Sequence, residues 1–393
     1  MRIAILTSGI LPIPAVMGGA VENLTDCYLR YNDRHRLHDI TVYSIAHEAT
    51  ATHPALQSQV NHYRYIDMDS RLAMLKKQLY KLLHRQHNYY YYTIEYYFHQ
   101  AVKLISRQHY DAIIVENRPG FGPRLKQFTG IPIIYHIHNN ELHPQTPMAR
   151  EIYDAATRIV CVSDYIASRV KAITTGDTKC VTVHNGIDLT RFRPDAKPID
   201  RNRLGLGADD FVVLYSGHLI QEKGVFQLAD AMALLSDYKQ IKLVVVGGST
   251  FNNKDNNTDH FIILKEKLDR ISDKVVITGA IPYSQMPAYL KLADVVAAPS
   301  VCDEAFGLTV AEAQALGLPI ITTCRGGIPE VVTKDNAILL TTDEHLTDSI
   351  AGAILDLYQH PDRRMAMAEA SLSRSTLFSS EQFAQRFFEA LLA

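Results

Sequence analysis

Short apolar runs, each followed by a glycine-bearing or polar loop and then by a helical pattern, recur along the whole chain. Such runs include Ile3–Leu6, Asp39–Ser44 and Ala112–Val115 in the first half, and the pattern restarts at Phe211–Tyr215. Runs of this length and composition are typical of buried strands, and their alternation with helices indicates parallel sheets. The chain is therefore predicted to be an α/β protein with two open parallel sheets. Ligands of such sheets bind beyond the carboxyl ends of the strands.

Composition narrows the class of protein further. The 393 residues suffice for two domains, and 47% hydrophobic with 21% charged residues is the composition of a globular protein. A net charge of −2 argues against a mainly nucleic-acid-binding protein. The five cysteines are scattered without a C-x-x-C spacing, which favours a reducing compartment. The first residues resemble a strand more than a signal peptide, and no apolar run is long enough to span a membrane. A cytoplasmic protein is expected.

The stretch from Ala298 to Val332 carries the strongest functional pattern. An apolar run ends at Pro299, a polar turn follows, and Gly307 opens a helical pattern that stops near Pro319. Glu304 lies in the turn, and Glu312 lies about one turn inside the helix. The backbone N–H groups of Phe306, Gly307, Leu308 and Thr309 would point out of the helix N-terminus, where they favour phosphate. Two acids beside an anion site predict a ligand with both hydroxyls and phosphates.

This stretch also resembles a known family. Glu304 and Glu312 match the E-x7-E spacing of retaining glycosyltransferases, and the flanking P-S-x-x-[DE]-E-x-F-G and G-x-P-I-I-T-T-x-x-G-G-I-P-E text resembles glycosyltransferase family 4. The H-N-G-I-D-x-x-x-F-x-P text from residue 184 is similar to the end of that family's N-terminal domain. The resemblance implies the GT-B fold, in which two Rossmann-like domains face each other and the last helix crosses back to the first.

The predicted domains follow from the resemblance and from the sequence pattern. Residues 1–193, joined by the last helix at about 376–393, would form the acceptor-binding domain. Residues 194–375 would form the nucleotide-sugar-binding domain, with the proline-bearing stretch 194–200 as the linker.

The family's G-R-L-x-x-E-K-G segment supplies an arginine and a lysine to the donor phosphates. Here it reads G-H-L-I-Q-E-K-G, so Lys223 is the expected cation and His218 replaces the arginine. Fixed positive charge at this point would stabilise the departing diphosphate. The resemblance places Glu312 at the nucleotide ribose and Glu304 near the donor sugar, where it would orient the sugar electrostatically. The alternatives are a solvated lysine at a helix start and an exposed first-turn glutamate that only favours the helix dipole.

Weaker patterns complete the expected site. Gly279 and Ala280 follow a strand and resemble the stretch that lines the base. Gly18 and Gly19 precede a helix, as in the family's glycine-rich first loop, although a plain turn is the alternative. His138 resembles the strand-tip histidine that contacts the donor sugar. His136 lies one alternation away on the same face and competes for this role, and a structural role remains open for either.

Two further segments bear on metals and membranes. Asp67-Met68-Asp69 has the D-x-D pattern of metal-dependent sugar transferases, but we interpret it as a surface turn away from any predicted strand end, so no metal and no other cofactor is expected. Residues 71–94 contain five basic and no acidic residues before Tyr89–Tyr92, with leucines at helical spacing. A basic amphipathic helix suits an anionic membrane surface at residues 71–92; a solvated charged face over a core stripe is the alternative.

The sequence therefore predicts a retaining glycosyltransferase that moves a hexose-type sugar from a nucleotide sugar, expected to be a UDP-sugar, to a saccharide or lipid-linked acceptor. The resemblance favours synthesis of a cell-surface polysaccharide or glycolipid, on the cytoplasmic side of the membrane. The alternatives are a GT-B phosphorylase or epimerase and a membrane-docked, non-catalytic binding protein.

Overall fold

The strands form two separate sheets in which neighbouring strands are parallel. The structure, a computed structural model, describes residues 1–83, 92–248 and 259–392. Internal contacts divide the chain into two compact units, one of Met1–Gly186 with Ser380–Ala393 and one of Ile187–Ser379. Among the described residues no helix is long and apolar enough to cross a membrane.

The first unit holds seven strands and seven helices within the described residues. Its strands are β1 Arg2–Leu6, β2 Asp39–Ile45, β3 Asn61–Ile66, β4 Ala112–Glu116, β5 Ile133–Ile137, β6 Arg158–Cys161 and β7 Cys180–Thr182. Its helices are α1 Ala20–His35, α2 Arg71–Leu83, α3 Tyr92–Ile105, α4 Gly122–Phe128, α5 Ala149–Ala155, α6 Asp164–Lys171 and, from the end of the chain, α14 Ser380–Leu392.

The strand order of this sheet is β3-β2-β1-β4-β5-β6-β7. Strands β4 and β5 are buried along their whole length, which explains the apolar runs Ala112–Val115 and Ile133–Tyr135 in the sequence. The order reverses between β1 and β4. The loops after these two strands therefore flank the position at which open α/β sheets bind ligands.

The second unit repeats the architecture with six strands. These are β8 Phe211–Ser216, β9 Ile241–Val246, β10 Val275–Gly279, β11 Val295–Ala298, β12 Ile320–Thr323 and β13 Ala337–Leu340, in the order β10-β9-β8-β11-β12-β13. The helices are α7 Val225–Leu234, α8 Asp259–Asp269, α9 Met286–Leu290, α10 Leu308–Ala315, α11 Ile328–Val331, α12 Leu346–Gln359 and α13 Pro361–Ser375. Two doubly wound α/β units were predicted, and this architecture is confirmed.

Two strands were missed in the sequence. Strand β3 lies at the edge of its sheet and reads N-H-Y-R-Y-I, so its partly exposed residues lack the apolar run of a buried strand. Strand β13 has only four residues, also at a sheet edge. Short or polar edge strands give a weak pattern because only part of their surface faces the core.

Because β3 was not predicted, the predicted position of the D-x-D segment has to be corrected. Asp67 directly follows β3, so this segment does lie at a strand end, contrary to the prediction. Its Oδ1 atom accepts the backbone N–H groups of Asp69 and Ser70 at 2.9 and 3.0 Å, and hydrogen bonds from Ser70 and Asp69 lower the pKa of this exposed carboxyl. The carboxylate thus shapes a surface turn before α2, as the sequence pattern predicts.

Helix α2 covers the first part of the predicted basic segment. It ends at Leu83, the next helix begins at Tyr92, and Tyr89–Tyr91 lie outside the described residues. The alternative of a core stripe on α2 is wrong. All four leucines with helical spacing face solvent, with exposed fractions of 54–84%: Leu72, Leu75, Leu79 and Leu82. The helix is held instead on its opposite side, where Ala73 is buried.

The last helix packs on α1 within the first unit, as predicted. Phe387 is fully buried, and its ring stacks on that of Tyr28 at 4.5 Å between centroids. The amphipathic pattern of α14 produces this contact, because its phenylalanines Phe383, Phe387 and Phe388 share the buried face.

Replacing Phe387 by alanine is expected to destabilise the first unit by about 3–5 kcal/mol, because a large buried side chain leaves a cavity. Hydrogen exchange measured by mass spectrometry should show lost protection in α1 and α14 and unchanged protection in α12. Leu392→Ala, which removes a leucine that is 64% exposed on the same helix, is the control. Equal exchange in the two variants would contradict the packing described here.

Candidate active site

The loop after β8 carries the predicted phosphate-binding lysine. Lys223 lies in a short turn just before α7, and Gly224 follows it with φ +74°. A Cβ atom at Gly224 would lie 1.9 Å from the carbonyl oxygen of Pro299, which only glycine avoids. The glycine therefore allows the loop after β8 to lie directly against the loop after β11.

This close approach brings Lys223 to Glu304. The lysine Nζ lies 2.7 and 2.8 Å from the two carboxylate oxygens of Glu304, and the hydroxyl of Ser300 donates to the same carboxylate. The side chains of Lys223 and Glu304 remain 30% and 18% exposed, so a ligand can reach both. Two of the predicted catalytic groups thus form one half-buried ion pair at the carboxyl end of the second sheet.

His218 lies in the same loop, at the position where the resembling family has arginine. Burial and, to a lesser extent, the charge of Lys223 lower its pKa, while Glu304 opposes this shift. The imidazole is therefore neutral at pH 7. It can offer a hydrogen bond to a phosphate, and Lys223 supplies the positive charge.

Helix α10 begins directly after the Glu304 loop. Gly307 occupies the cap position with φ +99°, and Leu308 is the first helical residue. The first N–H groups of a helix have no intrahelical acceptor, so those around Gly307–Thr309 can bind an anion. The hydroxyl of Thr309 contacts the carbonyl oxygen of Ser216 at 3.4 Å, so the helix start lies at the end of β8.

Glu312 is buried inside α10 rather than exposed on its first turn. Burial raises its pKa to about 7, although a hydrogen bond from Tyr283 and the charge of Arg191 act in the opposite direction. The Tyr283 hydroxyl donates to Glu312 Oε1 at 2.6 Å, and the guanidinium of Arg191 lies over the Tyr283 ring at 5.2 Å. The exposed-glutamate alternative is therefore wrong. Within the described residues this carboxyl accepts one hydrogen bond, from Tyr283, and it has capacity for more.

The predicted base-lining residues lie at a strand end in the second unit, and the predicted glycine-loop residues lie at a helix start in the first. Gly279 ends β10, with Ala280 immediately after it, in the second unit. Gly18 and Gly19 precede α1 in the first unit, and Gly19 has φ +100° at the helix cap. A Cβ atom at Gly19 would lie 2.1 Å from Glu22 Oε2, so this glycine leaves room for a buried carboxyl. Burial raises the pKa of Glu22 to about 7.

His138 lies at the tip of β5 in the first unit and shares a carboxylate with His136. Its Nε2 atom lies 2.8 Å from Glu116 Oε2, and the Nδ1 atom of His136 lies 3.1 Å from the same oxygen. Glu116 ends β4, and the hydroxyl of Tyr28 on α1 donates to its other oxygen at 2.7 Å. His136 is fully buried between aromatic rings, whereas His138 lies at the edge of this cluster.

Comparison with known proteins identifies the class of enzyme. The family model for glycosyl transferases group 1 matches residues 196–374, and the model for Glycosyltransferase Family 4 matches residues 35–191. The chain is a glycosyltransferase with the GT-B fold. Both halves of the resemblance seen in the sequence thus have a matching model, and the two models cover different units except at residues 187–191.

Individual relatives extend over nearly the whole glycosyltransferase. It is 26% identical to spore coat protein SA of Bacillus subtilis (strain 168), over 94% of this chain and 93% of that protein. The crystal structure of Anabaena HepE in complex with UDP matches with a TM-score of 0.75 and 21% identity, over 100% of this chain and 99% of that one. Sucrose-phosphate synthase from Thermosynechococcus elongatus matches with a TM-score of 0.77 and 20% identity, over 100% and 98%. These two likenesses show the shared fold.

Several residues of the candidate site were not predicted from the sequence. Ser300 and Tyr283 donate hydrogen bonds to the two motif glutamates. Glu116 is hydrogen-bonded to the strand-tip histidine, and Tyr28 donates a hydrogen bond to Glu116. Glu116 had a usable pattern, since a carboxylate directly follows the apolar run Ala112–Val115 at a strand end. Tyr28 and Tyr283 are remote in sequence from the residues that they contact, so only the fold brings them there.

Proposed function

We propose that this glycosyltransferase is a retaining enzyme of the family 4 type that uses a nucleotide sugar, with UDP-sugar as the donor. The observation that carries the proposal is the Lys223–Glu304 ion pair in the loops beside the start of α10. One cation, a neutral histidine and a helix N-terminus together suit a diphosphate. HepE, which shares the fold, has been crystallised with UDP and with UDP-glucose, which supports uridine in the donor.

In the proposed reaction the phosphates of the bound donor replace Glu304 as the partner of Lys223. The bond between the anomeric carbon and the phosphate oxygen breaks, and negative charge grows on the diphosphate, which Lys223 and the N–H groups of α10 stabilise. The acceptor hydroxyl attacks from the side on which the phosphate departs. Its proton passes to the departing phosphate oxygen, so the new bond keeps the anomeric configuration without a protein base.

The remaining site residues receive roles on the same basis. Glu312 accepts hydrogen bonds from the ribose hydroxyls, since a carboxylate can accept from two neighbouring donors. His138 contacts the donor sugar. The acceptor is a saccharide or a lipid-linked saccharide, and no metal takes part, because Lys223 and the helix N-terminus supply the positive potential.

The proposal is tested by thermal-shift and hydrolysis measurements with UDP-, GDP- and ADP-sugars, each with and without EDTA. Stabilisation by UDP-sugars that survives EDTA, followed by transfer with retained anomeric configuration in an NMR assay, is expected. A response to GDP-sugars alone would mean that the donor is a GDP-sugar and not a UDP-sugar. A response to no nucleotide, with turnover of a sugar phosphate and free phosphate, would favour the phosphorylase.

We further propose that α2 holds the enzyme on an anionic bilayer, where a lipid-linked acceptor would be found. The four exposed leucines of α2 cover one side of a helix that also carries Arg71, Lys76, Lys77 and Lys81 and has no acidic residue. Exposed apolar side chains flanked by cations fit the headgroup region of anionic lipids. Lys77 also donates to the carbonyl oxygen of Met68, so Arg71 and Lys76 are the better charges to test.

Replacing Leu75 and Leu79 by glutamine is expected to abolish co-sedimentation with vesicles containing anionic lipid. Arg71→Gln and Lys76→Gln should each weaken binding about fivefold at low salt, the effect of about 1 kcal/mol per charge. Leu37→Gln, at a leucine that is 43% exposed outside α2, is the control. Binding that is equal for neutral and anionic vesicles, or unchanged in the α2 variants, would refute the docking surface.

A further inference from the structure

A buried carboxylate in the first unit collects three hydrogen-bonding groups. Glu116 is 1% exposed, and its oxygens lie 2.7 Å from the Tyr28 hydroxyl, 2.8 Å from His138 Nε2 and 3.1 Å from His136 Nδ1. Burial alone would raise the pKa of Glu116, but the interactions with His136 and His138 outweigh it and hold the pKa below its usual range. The carboxylate is therefore ionised and can only accept hydrogen bonds.

An acceptor-only carboxylate fixes where its neighbours carry their protons. The Nε2 atom of His138, at 2.8 Å, must bear a hydrogen in order to donate to Glu116. Burial lowers the pKa of His138 to about 4, with a smaller contribution from His136, so this imidazole carries a single proton at pH 7. Its Nδ1 atom is then a bare acceptor.

The buried neighbour supports the same assignment. The Nδ1 atom of His136 lies 3.2 and 3.1 Å from the two oxygens of Glu116 and 3.1 Å from His138 Nε2, which converges on the same carboxylate. The Nε2 atom of His136 is buried without a hydrogen-bond partner in the described part of the structure. A buried donor without an acceptor is costly, so the proton belongs on Nδ1. His136 then donates to Glu116 and does not compete for a ligand.

The same three side chains could also be considered as a metal site, since their ligand atoms lie within 4.8 Å of one another. A metal on His136 Nδ1 would force the proton onto Nε2, which is buried and has no hydrogen-bond partner in the described part of the structure. Histidines that bind metals usually donate this second N–H to an acceptor. The groups around Glu116 thus fit a set of hydrogen-bond donors to this carboxylate better than they fit a bound metal ion.

We propose that Glu116 is a positioning residue that, with Tyr28 and His136, holds His138 in the Nε2–H tautomer. In this tautomer the Nδ1 atom of His138 accepts a hydrogen bond from a hydroxyl of the donor sugar. The sugar contact rests on the proposed function, whereas the tautomer is a property of the free protein. The arrangement gives His138 one hydrogen-bonding role, that of an acceptor. It selects a sugar hydroxyl and rejects a second acceptor such as a phosphate oxygen.

The free protein is tested by long-range proton–nitrogen NMR on material labelled with ¹⁵N-histidine, in which the His138 signals are assigned by their loss in His138→Asn. The expected spectrum has His138 protonated at Nε2 and bare at Nδ1, unchanged from pH 8 to pH 6. A proton on Nδ1 would overturn the proposal, and this result is obtained on the wild-type protein itself. Zinc binding at one equivalent that disappears in His138→Asn also overturns it, because the cluster would then be a metal site.

Variants test whether the tautomer matters for transfer. Glu116→Gln presents an amide that can donate to Nε2, so His138 should populate the other tautomer and kcat/KM should fall about tenfold, the effect of one lost hydrogen bond. Lys103→Gln, at an exposed lysine of the same unit, is the control and should leave both the tautomer and kcat/KM unchanged. A changed tautomer with unchanged transfer would overturn the sugar contact alone.

Discussion

Lys223→Ala is expected to lower kcat/KM for sugar transfer by about 100- to 1,000-fold, the usual effect of removing one group that stabilises charge developing in the transition state. The loss should be large because this loop offers a single strong cation. The neighbouring His218 occupies the place of the family's arginine and is neutral at pH 7. Lys223→Arg keeps the charge and should retain most of the activity. The measurement is initial-rate kinetics with UDP-glucose and a saccharide acceptor.

A double variant separates two explanations of such a loss. Lys223 is paired with Glu304 at 2.7 Å, so removal of the lysine also leaves a half-buried carboxylate without its cation. If neutralising Glu304 were the only role of Lys223, then Lys223→Ala combined with Glu304→Gln would recover activity. We expect no recovery, because the diphosphate loses its cation in both. Lys334→Ala, at an exposed lysine of the same unit, should leave the rate unchanged.

Much of the second unit's site was predictable because it is encoded locally. A strand, a turn and a helix start place Glu304, Gly307 and Glu312 within a few residues of one another, and turn chemistry fixes their relation. The Lys223–Glu304 contact was not predicted, although both residues were. It depends on Gly224 lying against Pro299, a close approach between loops that are distant in the sequence.

The first unit's site was predicted less completely for the same physical reason. The sequence placed His136 and His138 on one strand face but gave no partner for either. Their shared partner, Glu116, comes from β4 and is itself hydrogen-bonded by Tyr28 of α1, and only the sheet order places β4 beside β5. Likewise, the helical leucine spacing of α2 predicted a helix but not its exposed side, because a periodic pattern does not reveal whether an apolar stripe has a partner.

Donor binding is expected to strengthen about tenfold between pH 6 and pH 8, and Glu312→Gln should abolish this dependence. Burial raises the pKa of Glu312 to about 7, so the ionised fraction rises from about one tenth to about nine tenths over this range. The carboxylate accepts hydrogen bonds from the ribose hydroxyls better than the protonated acid does, because one oxygen of the acid carries a hydrogen and acts as a donor. At pH 6 the wild type and Glu312→Gln should therefore bind UDP-glucose alike, and at pH 8 the variant should bind about tenfold more weakly.

Ionisation of Glu312, which is expected to strengthen donor binding, is expected to lower the stability of the folded protein. The pKa of Glu312 is higher in the folded protein than the ordinary value of 4.5, so the stability that the protonated acid provides is fully present below pH 4.5 and is lost as the pH rises through 7. Glu312→Gln cannot ionise, and its melting temperature should therefore rise relative to the wild type between pH 5 and pH 8, while its donor affinity falls. Glu369→Gln, at an exposed glutamate of the same unit, should show neither effect. A variant that lost donor affinity equally at pH 6 and pH 8 would mean that Glu312 positions the ribose without depending on its charge.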